Sequence, residues 1–227
     1  MLGLGIRTVS FLSIQVYVLG LYVRTADLDR LQSVFVKHVN PTGSSLIPSE
    51  KDDLRTQLLD AGASLEVWDK VLRGAKIRSA VRIVPTRNTD FAHLRDGWVR
   101  GITARTQEAQ RIGSKEYEDD TFGTAMKDFK ALFGGRGKAP KGSVLTLTRD
   151  EDGVLSAVYE TEAKTNGAEN APREVMGKIK DERISRLVWL GYLGGKAVSS
   201  EEARKNVVQG VMELVERPVG TVGTQVV

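Results

Sequence analysis

The run from Val9 to Val23, VSFLSIQVYVLGLYV, constrains this chain more than any other segment. Its fifteen residues fall short of the roughly 20 that a helix needs to cross a bilayer. Arg7 ahead of the run gives it the outline of a secretory leader. However, Ser10, Ser13 and Gln15 interrupt it, and no small-x-small cleavage site follows. Its β-branched and aromatic residues instead predict a buried hairpin, with strands at about Gly5–Leu12 and Ile14–Arg24 and Ser13 near the turn. Any membrane attachment is then expected to come from a leader outside these residues, and the chain itself to be soluble.

The remaining pattern sorts into helices followed by more strands. Thr25 or Asp27 is placed to cap a helix carrying Leu28, Leu31, Val34 and Phe35, which Asn40-Pro41-Thr42-Gly43 breaks. Ser49 and Ser64 open two more. Alternation of Ile77, Ser79, Val81 and Ile83 with basic neighbours predicts a half-buried strand ending at Pro85. Asp90 or Thr89 caps a long helix to about Ile112, and another is expected from Ser114 to Leu132. Val144–Thr148 and Val154–Tyr159 flank Asp150-Glu151-Asp152-Gly153 as a hairpin. A polar linker, Ala163 to Pro172, leads to a helix containing Ile179, Ile184 and Leu187. Gly194-Gly195 stops that helix, and Ser199 or Ser200 caps the last one through Glu216. Strand pairs at both ends with helices between predict an α+β fold, one antiparallel sheet covered on one face by helices. One domain is expected over 1–217, with a frayed tail at 218–227.

Composition narrows the chemistry. The 227 residues include no cysteine, which excludes disulfides, thiolate metal sites and a cysteine nucleophile. Two histidines, His38 and His93, are too few for a multi-histidine zinc centre. A net charge of +4 from dispersed basic residues does not point to nucleic acid. The glycine-rich Gly134–Lys138 loop follows a helix and precedes a strand, the reverse of the order a phosphate-binding turn requires.

The segment 84–105 is the most informative. On a helix, Phe91, Leu94, Trp98 and Ile102 form a core-facing stripe, while His93, Gly97, Gly101 and Ala104 form a second. Two interior glycines cost about 1 kcal/mol each relative to alanine. Either a neighbouring element approaches closely there, or a flat ligand lies on bare backbone with His93 as a metal ligand. A neutral imidazole is the commonest protein ligand of haem iron, and Arg78, Arg82, Arg87, Arg95 and Arg100 are candidates to meet anionic groups. Arg7, inside an apolar stretch, needs an internal carboxylate or a ligand anion.

Gly5-Ile6-Arg7-Thr8-Val9-Ser10-Phe11 with Tyr17–Val23 resembles the N-terminal signature of the chalcone isomerase family. Lys141–Leu147 and Leu193–Ser199 resemble its C-terminal half. Arg87–Trp98, RNTDFAHLRDGW, is similar to the fungal mitochondrial branch, the altered-inheritance-of-mitochondria group. The resemblance runs from Leu2 to Glu216 and implies an open-faced β-sandwich. Of the polar residues that organise flavanone formation in plant enzymes, it carries the arginine to Arg7. Tyr17 falls near the threonine, Phe91 at the tyrosine, Trp98 at the asparagine and Val175 near a later hydroxyl residue. It thus implies an apolar cleft without most of the isomerase's donors. In fatty-acid-binding members the arginine and a tyrosine hold the carboxylate, with which Phe91 is at odds. The fungal branch implies non-covalent haem b and attachment to the mitochondrial inner membrane. On that expectation His93 is the axial iron ligand, Gly97 and Gly101 lie under the ring, and Arg7 or a neighbouring arginine meets a propionate. Tyr17, Phe91 and Trp98 line the cleft.

Overall fold

A computed structural model describes residues 1–9, 14–161 and 173–217. Strands β1 (Gly3–Val9) and β2 (Ile14–Val23) form the expected opening pair. The turn assigned to Ser13, the linker 163–172 and the tail 218–227 lie outside or largely outside those residues. Helices α1 (Leu28–Val39), α2 (Pro48–Leu59) and α3 (Ala63–Gly74) follow. Next come β3 (Ser79–Pro85), a two-residue β4 (Thr89–Asp90), α4 (Phe91–Arg111), α5 (Asp120–Ala131) and a two-residue β5 (Lys138–Ala139). The chain closes with β6 (Val144–Arg149), β7 (Leu155–Glu160), β8 (Arg173–Ile179), α6 (Glu182–Leu193) and α7 (Glu201–Glu216).

Six strands form one antiparallel sheet in the order β1-β2-β3-β6-β7-β8, and β4 pairs with β5 separately. Period-two alternation gives the sheet two unlike faces. Leu19, Ile83, Leu145 and Tyr159 lie in one cross-strand row, and Leu21, Val81, Leu147 and Ala157 in the next. All eight are buried beneath the helical layer, each large aliphatic contributing about 1.5–3 kcal/mol through burial. On the opposite face Arg82 is exposed, as are Leu4 (43%) and Val175 (67%).

Several expectations are corrected. Asp27 does not cap α1: its carboxylate receives the Arg78 backbone N–H and guanidinium, and this pairing holds its pKa down at about 2. α2 is opened by Glu50, which accepts the Ile47 N–H at 2.9 Å, and not by Ser49. α5 begins at Asp120, capped by Asp119, six residues later than Ser114. Ile179 belongs to strand β8, and the helix begins only at Glu182. Asp90 and Ser200 do cap α4 and α7, accepting the His93 and Ala203 N–H groups.

Two features tie the layers together. α7 lies across β1 so closely that a Cβ on Gly210 would sit 1.9 Å from the Leu2 carbonyl oxygen. Gly3 and Gly5 on β1 would likewise collide with the backbone of Val207 and Ala203. The second is ionic. Arg186 of α6, 1% exposed, meets Asp69 of α3 at 2.7 Å, Glu116 in the α4–α5 connection, and Glu182 at 3.2 Å.

Candidate ligand-binding site

β1 delivers Arg7 opposite Tyr17 of β2, at a register shift between Arg7 and Thr8. Such irregularities turn a side chain away from the regular alternation. The half-buried guanidinium donates from Nη1 to the Ser199 carbonyl at 2.5 Å. Among the described residues no carboxylate lies within ion-pair distance of it. The internal-carboxylate account of Arg7 is therefore replaced by a carbonyl contact that leaves the charge uncompensated.

α4 supplies the opposite wall. Phe91, Leu94, Trp98 and Ile102 are buried as the periodicity predicts. The second stripe behaves differently from a close-packing interface: a Cβ on Gly97 would meet nothing within 4 Å, and one on Gly101 only Arg105 Nη1 at 3.7 Å. Close approach of a neighbouring element is thus excluded as the reason for these glycines. They open onto a groove of about 280 Å³ running between α4 and α6, shared with Gly191, Val188, Arg105 and Ser199. A smaller cavity of about 40 Å³ adjoins it, lined by Arg7, Val16, Tyr17, His93, Gly97 and Trp98. That volume takes a head group of a few heavy atoms and no ring.

The segment between α6 and α7 forms one rim. Ser199 N–H donates to the Gly191 carbonyl at 2.7 Å. Arg105, whose pKa burial lowers, donates to the carbonyls of Leu190, Gly194 and Ala197 at 3.1–3.3 Å. Beneath the cavity lies a polar chain that sequence reading missed. Trp98 Nε1 donates to the Tyr192 hydroxyl at 2.7 Å, and the Tyr192 and Tyr17 hydroxyls are 3.1 Å apart. Burial raises both phenol pKa values, so both stay protonated at neutral pH. Tyr192 is hidden in the sequence because it sits in an apolar helix where a tyrosine reads as core.

His93 lies on the exposed side of the first turn of α4 and lines the small cavity. Among the described residues neither ring nitrogen has a hydrogen-bond partner. An unpartnered imidazole, a bare-backbone groove that a Cβ would fill, an apolar floor and an uncompensated guanidinium fit a flat metal-bearing ligand with carboxylates. Arg100 joins this rim, but the other nominated arginines do not: Arg78 pairs with Asp27, Arg95 with Asp96, Arg82 lies on the outer sheet face, and Arg87 is exposed outside both hollows. Two further residues leave the site. Phe91 packs edge-on against Tyr159 with centroids 4.8 Å apart and lines neither hollow, and Val175 is exposed on β8. His38 belongs to α1 and meets Gln57 at 2.8 Å. A larger groove of about 530 Å³ between α5 and the end of β8 is lined by Asp120, Asp128, Asp181, Lys178 and Lys180, charges of both signs suited to solvent.

Residues 1–208 match the family described as "Chalcone isomerase like". A protein named "Altered inheritance of mitochondria protein 18, mitochondrial" from Debaryomyces hansenii is 34% identical over 94% of this chain and 66% of its own length. Its namesake from Eremothecium gossypii is 30% identical over 95% of this chain and 67% of its own length. The chain thus spans about two thirds of these relatives. Among solved structures, the crystal structure of an Arabidopsis thaliana fatty-acid binding protein aligns with a TM-score of 0.63 at 20% identity. The alignment covers 95% of this chain and 89% of that one, a likeness of fold.

Proposed function

As the chain belongs to the chalcone isomerase-like family, we propose that it binds, without covalent attachment, an apolar ligand bearing a carboxylate, and that this ligand is haem b. The observation that carries the reading is the pairing of His93, free of described partners, with the open backbone of Gly97 and Gly101 on the same helix. His93 would hold the iron, the glycine groove would receive the ring, and Arg7 or Arg100 would meet a propionate. Bound haem would supply a redox-active or gas-binding iron. The polypeptide's own part is to exclude water beneath Trp98 and to neutralise the carboxylate. The fungal relatives' names include the word mitochondrial, which supports a mitochondrial address, and on the proposed reading the protein lies at the inner membrane. No described helix is long and apolar enough to cross a membrane.

A fatty acid is the second reading, favoured by Tyr17. The phenol that Phe91 does not provide stands beside Arg7 on the neighbouring strand. Isomerase chemistry is disfavoured, because the Trp98 N–H is taken up by Tyr192 and the Phe91 ring is buried against Tyr159. Titration of the purified protein with hemin tests the proposal. A Soret shift is expected in the wild type, with most of it lost in His93→Ala. Arg7→Ala should weaken binding about ten- to a hundredfold, as removal of a charge-assisted hydrogen bond does. An unchanged shift in His93→Ala overturns the iron ligand. No shift in the wild type overturns haem, and saturable dodecanoate binding would then favour the fatty acid.

A further inference from the structure

The chain Trp98–Tyr192–Tyr17 has a direction, and the direction bears on what the cavity beside Arg7 accepts. An indole nitrogen only donates, so the Tyr192 oxygen accepts from Trp98 at 2.7 Å. The remaining bond, 3.1 Å between the two phenols, can run either way. If Tyr17 donated, the Tyr192 proton would have no described acceptor; both residues are buried, at 5% and 2% exposed, but Tyr17 lines the small cavity and Tyr192 lines neither hollow, so a donor left unmade at Tyr192 is the costlier arrangement. The Tyr192 proton therefore goes to the Tyr17 oxygen. That leaves the Tyr17 proton without a described protein acceptor, on a residue that lines the small cavity together with Arg7.

We propose that Tyr192, held by Trp98, is a positioning residue that makes Tyr17 an obligate hydrogen-bond donor, so that the small cavity selects a group with two acceptor oxygens and no proton, an ionised carboxylate. Arg7 supplies the other donor. Only the head group enters: about 40 Å³ takes a carboxylate, and the apolar body lies in the 280 Å³ groove over Gly97 and Gly101. The ligand class is thus an apolar body with its carboxylate on a narrow stem. This rests on the proposed carboxylate site at Arg7 and is indifferent to whether iron is present.

The test uses dodecanoate and dodecanamide as probes of the full chain, by calorimetric titration, with ¹³C-carboxyl-labelled dodecanoate for NMR. Dodecanoate is expected to bind at least about tenfold tighter than the amide, which carries a proton donor where an acceptor is required. Tyr17→Phe should weaken dodecanoate about tenfold and raise the pKa of its bound carboxyl. Tyr192→Phe should weaken it about threefold alone, and not at all in the Tyr17→Phe background. That non-additivity marks a residue acting through another, which a merely structural role would not produce. If wild type binds neither dodecanoate nor hemin, the carboxylate site itself falls. If dodecanoate binds but Tyr192→Phe leaves both affinity and carboxyl pKa unchanged, or weakens binding equally in both backgrounds, the positioning role is overturned and the site stands.

Discussion

Replacing Gly97 and Gly101 together by alanine should make the protein more stable and a poorer binder. Both lie inside α4 with ordinary helical backbone, and neither new methyl group meets an atom closer than 3.7 Å. No strain offsets the helix propensity gained, about 1 kcal/mol per site, so the pair should add about 2 kcal/mol. For a chain of 227 residues that corresponds to roughly 4–8 °C in Tm, readable by calorimetry of the ligand-free protein. The same methyls stand in the groove, lifting a ring or acyl chain off the helix and forfeiting its dispersion contacts. Hemin affinity should fall about tenfold or more, equivalent to about 1.4 kcal/mol. Gly123→Ala in α5 is the control, since its methyl also meets nothing within 4 Å but lies outside the groove. It should gain stability with no change in binding. Loss of stability in the double variant would refute the open-space reading, and gained stability with undiminished hemin affinity would refute the reason given for the glycines.

Two further outcomes follow from the way the layers are tied. Arg186→Met should cost about 2–3 kcal/mol at pH 7 in urea unfolding, because Asp69 and Glu116 would then share the half-exposed Arg73 alone and Glu182 would keep only Arg149 at 3.7 Å. The penalty should depend on pH. In the wild type the Glu116 pKa is lowered, its pairing with Arg73 and Arg186 outweighing burial, so its contribution is present above the ordinary carboxylate range and is lost as pH falls through the depressed value. Without Arg186 the Glu116 carboxyl gains a proton more readily, and the gap between variant and wild type should narrow from pH 7 to pH 4.5. A gap that stays constant would show that packing and not charge sets the loss. Gly210→Ala should destabilise by about 3 kcal/mol despite better helix propensity, since its Cβ would fall on the Leu2 carbonyl. A neutral result in the same unfolding assay would show that α7 can shift off β1.

The fold was legible wherever local signals agreed. The opening pair, the hairpin around Asp150–Gly153 and the caps at Asp90 and Ser200 each combine local turn or capping chemistry with the right periodicity. β8 was misread because REVMGKI lacks alternation: the register shifts opposite Ala157 and Val158, so only Met176 and Ile179 face inward. Asp27 looked like a helix cap because its true partner, Arg78, is 51 residues away. At the site, Arg7, Tyr17, His93, Gly97 and Trp98 do share one cavity, but pattern could not distinguish bare glycines that face a groove from glycines that admit a neighbour. That distinction is a matter of distance, which no spacing rule encodes. Phe91 was drawn into the cleft by correspondence with a tyrosine, whereas its ring turns toward Tyr159.

Because α7 clasps β1, the strand bearing Arg7 is completed by residues made long after it. A ribosome emits the residues that seal Arg7, Ser199 through Gly210, nearly two hundred positions after it. Until then the first strand keeps an exposed edge and its guanidinium has no carbonyl to rest on. Newborn or partly translocated chains should therefore be unable to capture cargo, and a stop codon anywhere before α7 would cost the pocket as well as the helix.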